Sequence, residues 1–189
     1  MSEHRSGAEA RSSIGTDGVH HGADHVVLVG MMGSGKTHVG RQLAGRLGLA
    51  FVDSDEQIER RHGRTVREIF EADGEPAFRR LEAEALAVAV ASPERSVIAA
   101  AGGVVLDARN RELLSRAGTV VWLRARPEVL ATRVGDHDHR PLLGDDALGV
   151  LRRLDAERAP LYQEVADAVL DVGDLSPDEA ATRIAELVA

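Results

Sequence analysis

Eight consecutive residues, Gly30-Met31-Met32-Gly33-Ser34-Gly35-Lys36-Thr37, carry the spacing G-x-x-x-x-G-K-[ST]. The chemistry open to that spacing is anion binding. Glycines without a Cβ let the backbone curl until its N–H groups face phosphate oxygens. A helix starting near Lys36 would aim its unpaired amides and positive dipole end at the same anion. Lys36 would reach the β- and γ-phosphates of a nucleotide, and the Thr37 hydroxyl would ligate Mg²⁺. A glycine-rich turn matching by accident is the plain alternative, and the flanking sequence argues against it. The short β-branched run His25 to Val29 precedes the motif, and Val39, Leu43 and Leu47 follow it at helical spacing.

Three further stretches have reactive residue types at suggestive places. Asp53-Ser54-Asp55 closes a short apolar run, and ligands of open α/β sheets bind at the carboxyl ends of strands. Either aspartate could instead cap the helix expected over Glu56 to His62, although Ser54 would serve equally well. Ala101-Gly102-Gly103 ends another apolar run, where paired glycines bring backbone close to a ligand or form a tight turn. Gly135 to Gly144 is polar, bounded by glycines and holds Arg140 before a proline, the composition of a lid over a phosphate site. His137 and His139 in that stretch, and His20, His21 and His25 earlier, read as solvated residues, since no second ligand cluster accompanies them.

The elements that must position these residues alternate. Strands are expected at His25–Val29, near Leu49–Asp53, at Ser96–Ala100, Thr119–Leu123 and Ala168–Val172. The capping box Thr65-Val66-Arg67-Glu68 opens a helix toward Gly74, and a second helix runs from Glu75 to Ala91. Asp107 caps a helix through Ala117, Pro127 starts one to Val134, and Ser176-Pro177-Asp178-Glu179 opens the last, to about Val188. Asp146 to Ala159 reads as a helix interrupted or kinked at Pro160. Trp122 reads as core. Five strands alternating with helices and no internal repeat mean a parallel sheet wrapped on both faces.

Composition sets the outer limits. The chain has 189 residues, a net charge of −8, no cysteine, and only three Phe, one Tyr and one Trp. That excludes a disulfide framework and thiolate chemistry, and it disfavours nucleic acid as the main partner. No apolar run approaches the roughly 20 residues that span a bilayer, and the N-terminus lacks a signal core, so the chain reads as cytoplasmic. Residues 1–24 have no periodicity and read as a disordered tail; residues 25–189 read as one domain, with the lid at about 135–146.

With these motifs in order, the chain resembles the shikimate kinases. The resemblance runs from about His25 to the C-terminus. It is carried by the glycine loop continuing into Val39-Gly40-Arg41, by Asp53-Ser54-Asp55, by Gly74-Glu75-Pro76-Ala77-Phe78-Arg79-Arg80-Leu81-Glu82, by Arg140-Pro141-Leu142-Leu143, and by Arg158-Ala159-Pro160-Leu161-Tyr162. It implies a P-loop NTPase architecture of three layers, α/β/α, around a five-stranded parallel sheet with a mobile lid. It implies ATP-dependent phosphorylation of the 3-hydroxyl of shikimate, with Mg²⁺ as cofactor, in a monomer without nucleic-acid or membrane partners. Gly33, Ser34, Gly35, Lys36, Thr37, His38, Arg133 and Arg140 would then hold ATP, with Arg133 stacked on adenine. Thr37 and Asp53 would hold the metal, the latter through water. Asp55 would bond the acceptor hydroxyl, and Arg79 and Arg158 would clamp the carboxylate. Gly102 and Gly103 would bring backbone to the ring, and Lys36, Asp55 and Arg140 would carry the catalysis.

The chemistry runs parallel to the resemblance. Phosphoryl transfer needs cations around the phosphates, a held acceptor hydroxyl, and planar donors for a carboxylate substrate. Arg79 inside a mostly apolar helix face suits the last need, and Glu82 three residues on can orient it. Two positions depart from the family pattern. Ala101 stands where a third glycine is usual, and His38 where a hydroxyl usually follows Lys36-Thr37. A same-fold kinase acting on another cyclic polyol or sugar acid, and a nucleotide-binding module without catalysis, are the competing readings. The module would be expected to lack Lys36, Asp55 or Arg140, and all three are present.

Overall fold

The computed structural model describes residues 24–134 and 146–188. The sheet has five strands, all parallel, in the order β2-β3-β1-β4-β5. The strands are β1 (His25–Val29), β2 (Ala50–Asp53), β3 (Ser96–Ala99), β4 (Gly118–Arg124) and β5 (Ala168–Asp171). Parallel strands covered on both faces read as unbroken apolar runs, and β1 is buried at all of its positions. Registers such as Val27 opposite Ile98 on one side and Val120 on the other put β1 at the centre.

The helices are α1 (Lys36–Leu47), α2 (Ser54–His62), α3 (Val66–Val90), α4 (Ala108–Leu114), α5 (Pro127–Val134), α6 (Ala147–Val165) and α7 (Pro177–Val188). The connection from β1 to β2 runs one way across the sheet, and those from β2 to β3, β3 to β4 and β4 to β5 run the other. Right-handed crossovers therefore set α1 on one face and α3, α4 and α6 on the opposite one. The observed packing of α1 on α7 and of α3 on α4 fits that division.

Local choices explain the boundaries. Thr65 and Glu68 form the expected capping box at the start of α3, and Ser176 and Glu179 exchange the equivalent bonds at α7. Within α3, Gly74 has φ 79° and ψ 169°, a conformation almost confined to glycine, and breaks the helix in two. The second half restarts with Pro76 in its first turn, where a missing N–H costs nothing.

Three expectations are revised. Of the three candidate caps, Asp53 is the one that caps α2, so the helix begins at Ser54, two residues earlier than expected. A short 3-10 turn, Val104–Leu106, intervenes before Asp107 caps α4, which ends at Leu114 rather than Ala117. Pro160 does not interrupt α6, which runs unbroken from Ala147 to Val165. The proline removes one N–H from the helix ladder, and burial of Leu151, Arg158, Tyr162 and Val165 along one side holds the helix across the gap.

His25 proves to be a core residue. Its Nδ1 accepts from the Ser96 backbone N–H at 3.2 Å, which leaves the proton on Nε2, facing the Val90 carbonyl at 3.3 Å. Trp122 is buried against Tyr162, as a core residue should be. Asp24, placed in the tail by the sequence, accepts from Arg95 through its carbonyl. The lid and Arg140 lie outside the described residues, as do His137, His139 and most of the expected tail.

Candidate active site

The carboxyl ends of β1, β2 and β3 lie side by side because the sheet order places those strands together. Their following loops are the glycine loop, the Asp53-Ser54-Asp55 corner and the Ala101-Gly102-Gly103 turn. All three line one cleft of about 700 Å³, together with Lys36, Thr37, His38, Arg79, Glu82, Arg133 and Arg158. Every predicted site residue among the described ones lines it.

In the glycine loop, Gly33 and Gly35 have φ of 80° and 91°. These left-handed positions turn successive N–H groups toward one point. Lys36 Nζ donates to the carbonyls of Gly30 and Met31 at 2.8 and 3.0 Å. The cation thus lies along its own loop, on the path a phosphate would take. His38 is exposed in the first turn of α1.

Asp53 divides its carboxylate. Oδ1 accepts the backbone N–H groups of Asp55 and Glu56, the cap of α2, while Oδ2 accepts the Thr37 hydroxyl at 2.7 Å. A hydroxyl and a carboxylate are thereby held together beside the phosphate loop. Hard oxygen donors of this kind suit Mg²⁺, which retains waters and phosphate oxygens for the rest of its shell. No group of three or more His, Cys, Asp or Glu able to hold a metal occurs among the described residues.

Across the cleft, Arg79 Nη1 pairs with Glu82 Oε2 at 2.6 Å, the i,i+3 partnership anticipated from spacing. Its Nη2 reaches Glu75 at 2.8 Å, so carboxylates on both sides hold the guanidinium plane. Glu82 is 3 % exposed, and burial pushes its carboxyl above the usual range against the pull of Arg79 and Arg158. A Cβ on Gly103 would lie 1.7 Å from Arg79 Nη1. The glycine is therefore needed by the arginine itself, a close approach that sequence spacing could not distinguish from a ligand contact or a tight turn. Arg158 is 3 % exposed and its Nε is buried without a hydrogen-bond partner among the described residues.

Arg133 donates from Nη2 to the carbonyls of Val172 and Gly173 at 2.8 and 2.9 Å, which fixes it at the end of β5. Ala101 is buried and lines the cleft. Two lining residues, Phe70 and Leu175, have no signal in the sequence beyond their apolar character; Phe70 packs edge to face on Phe78, a residue of the Arg79 motif. Tyr162 lies beneath the cleft and was visible only as the last residue of the Arg158 motif.

The arrangement joins an anion cradle, a hydroxyl–carboxylate pair for a hard cation, an exposed carboxylate at Asp55 and two planar cations. It is equipped to bring a polyphosphate against a small hydroxylated acid.

Residues 32–189 match the family model described as shikimate kinase. The shikimate kinase of Symbiobacterium thermophilum is 55% identical over 145 residues, which cover 75% of this chain and 83% of that one. That of Paramagnetospirillum magneticum is 43% identical over 162 residues, 85% of this chain and 82% of its own. Among solved structures, the shikimate kinase of Acinetobacter baumannii in complex with shikimate superimposes with a TM-score of 0.84 at 38% identity, covering 89% of this chain and 94% of that chain.

Proposed function

The chain belongs to the shikimate kinase family, and from that premise we propose that it transfers the γ-phosphoryl group of ATP to the 3-hydroxyl of shikimate. The products are shikimate 3-phosphate and ADP, and the step serves chorismate biosynthesis. The observation that supports this most directly is the common cleft: the phosphate loop, Asp55 and two fixed guanidinium groups face one space.

In this reading the loop amides from Gly33 to Thr37, with Lys36, draw off charge from the β- and γ-phosphates. Lys36 exchanges its bonds to Gly30 and Met31 for phosphate oxygens. Thr37 and Asp53 would hold Mg²⁺, which when bound would supply positive charge to neutralise the phosphates. His38 borders the nucleotide, and Arg133 lies against its base. Arg79 and Arg158 take the acceptor carboxylate, which fixes the ring against Gly102 and Gly103 with its 3-hydroxyl toward Asp55. Asp55 orients that hydroxyl or accepts its proton as the oxygen bonds to the γ-phosphorus and the bond to the β–γ bridging oxygen breaks. Arg140, carried by a lid over 135–146, adds positive charge to the transferring group. The enzyme works as a cytoplasmic monomer, one domain over 25–189 with a tail over 1–24. Among the described residues, no helix is long and apolar enough to cross a membrane.

The test is ADP release from MgATP with and without shikimate. Strong stimulation at sub-millimolar KM is expected. Nucleotide binding without stimulation would redirect the search to other hydroxylated ring acids, with Ala101→Gly the first substitution to make.

A further inference from the structure

The chain contains one tyrosine, Tyr162, and its side chain is wholly buried. Its hydroxyl donates to the Gly102 carbonyl at 2.6 Å and lies 3.9 Å from Met31 Sδ, in the phosphate loop. A Cβ placed on Gly102 would lie 3.3 Å from the Gly30 carbonyl, 3.6 Å from the Tyr162 hydroxyl and 3.8 Å from Arg158 Nη1. Three parts of the site therefore meet around Gly102, the phosphate loop, an arginine of the acceptor side and the Tyr162 hydroxyl, and that hydroxyl touches both the glycine turn and the phosphate loop. Arg158 precedes Tyr162 by four residues on α6, so both project from one side of that helix.

Packing fixes this hydroxyl. The Tyr162 and Trp122 rings lie 5.6 Å apart, inclined at 30°. Burial pushes the hydroxyl's pKa up, against the pull of the Arg158 guanidinium, so it stays protonated and donating throughout the working pH range. A core tyrosine that merely satisfies its own hydroxyl is the plain alternative. It accounts for the buried ring, but not for a hydroxyl bonded to the glycine turn that lines the cleft and lies against Arg79.

We propose that Tyr162 is a positioning residue: its hydroxyl, bonded to the Gly102 carbonyl, holds the Ala101–Gly103 turn and Arg158 in the register that receives the acceptor carboxylate, and ties that turn to the phosphate loop. The proposal rests on the shikimate kinase reading. Tyr162 does not touch the reacting atoms and acts through Gly102 and Arg158.

Tyr162→Phe keeps the ring and removes the bond; Trp122→Phe loosens the ring and leaves the hydroxyl in place. Steady-state ADP release with shikimate and MgATP varied in turn separates them. For Tyr162→Phe the shikimate KM should rise about tenfold, the factor of one ordinary hydrogen bond, while the MgATP KM stays within about twofold. Trp122→Phe should lower Tm without moving the shikimate KM. An unchanged shikimate KM in Tyr162→Phe, or both KM values rising together with a loss of Tm as in Trp122→Phe, overturns the proposal. A second measurement does not depend on that variant folding. Growth on 3-fluorotyrosine labels position 162 alone, and shikimate should shift the single fluorine resonance; a silent resonance overturns the proposal. Wild-type protein that ignores shikimate in the rate assay would instead defeat the assignment of the acceptor, before any variant is made.

Discussion

Glu82 shows how far the site departs from what stability alone would select. Its carboxylate is buried with Arg79, and burial outweighs the ion pair in setting its proton affinity, which is raised. A carboxyl whose folded pKa lies above its unfolded value makes a stabilising contribution that is full below the unfolded pKa and is lost as pH rises through the folded one. At neutral pH, then, the charged Glu82 is held at a cost, consistent with the weak net value of buried ion pairs. Glu82→Gln should match or exceed wild type in Tm at pH 7, and that advantage should shrink as the pH falls toward the ordinary carboxylate range. The same variant should raise the shikimate KM about tenfold, because Arg79 loses a charged partner that fixes its plane. Thermal scans at several pH values and steady-state kinetics check both halves; a large Tm loss at pH 7 would contradict the first. The pair itself was readable from an i,i+3 spacing. The proximity of Gly103 to Arg79 was not, because it joins residues from different elements, and neither was the bond from Tyr162 to Gly102, 60 positions away in the chain.

At the scale of elements, the strands were legible because a doubly covered parallel sheet demands unbroken apolar runs, and the capping boxes were legible because they are local. The misreadings arise where tertiary packing overrides a local signal. Pro160 is a helix breaker by sequence, yet α6 passes through it, since the buried side of the helix outweighs one missing bond. The sequence left the cap of α2 open between Asp53, Asp55 and Ser54; Asp53 takes it, and its second oxygen is held by Thr37, sixteen residues earlier. Gly74, by contrast, falls where the sequence ends one helix and starts the next at Glu75, and it is the joint between the two halves of α3. That joint sets the direction of the half-helix carrying Arg79 and Glu82. Gly74→Ala forces a side chain into φ 79°, ψ 169°, a strain of about 1–3 kcal/mol. We expect a Tm several degrees lower and a raised shikimate KM, with the MgATP KM unchanged; equal changes in both KM values would show that the joint does not serve the acceptor side specifically.

At the scale of the whole molecule, strand order decides how the two ligands share the cleft. The sequence β2-β3-β1-β4-β5 places the Asp53 corner and the glycine turn on one side of the phosphate loop, and Arg133, Val172 and Leu175 on the other. An acceptor over β2 and β3 and a nucleotide base over β4 and β5 would approach from opposite sides and meet over β1. Each should then stabilise the fold through its own contacts. At about 100 times Kd a single ligand contributes about 2.7 kcal/mol, or roughly 5–10 °C in Tm for a chain of this size. Arg158→Lys keeps the buried charge but loses the planar fork, so it should abolish protection by shikimate and retain protection by MgATP. Thr37→Ala should do the reverse, because its hydroxyl lies beside the phosphate loop, bonded to Asp53. Thermal unfolding of both variants with each ligand in turn checks the division. If Arg158→Lys lost both protections together, the two halves of the cleft would be one cooperative site, and the path of that coupling would have to run through the glycine turn that touches both.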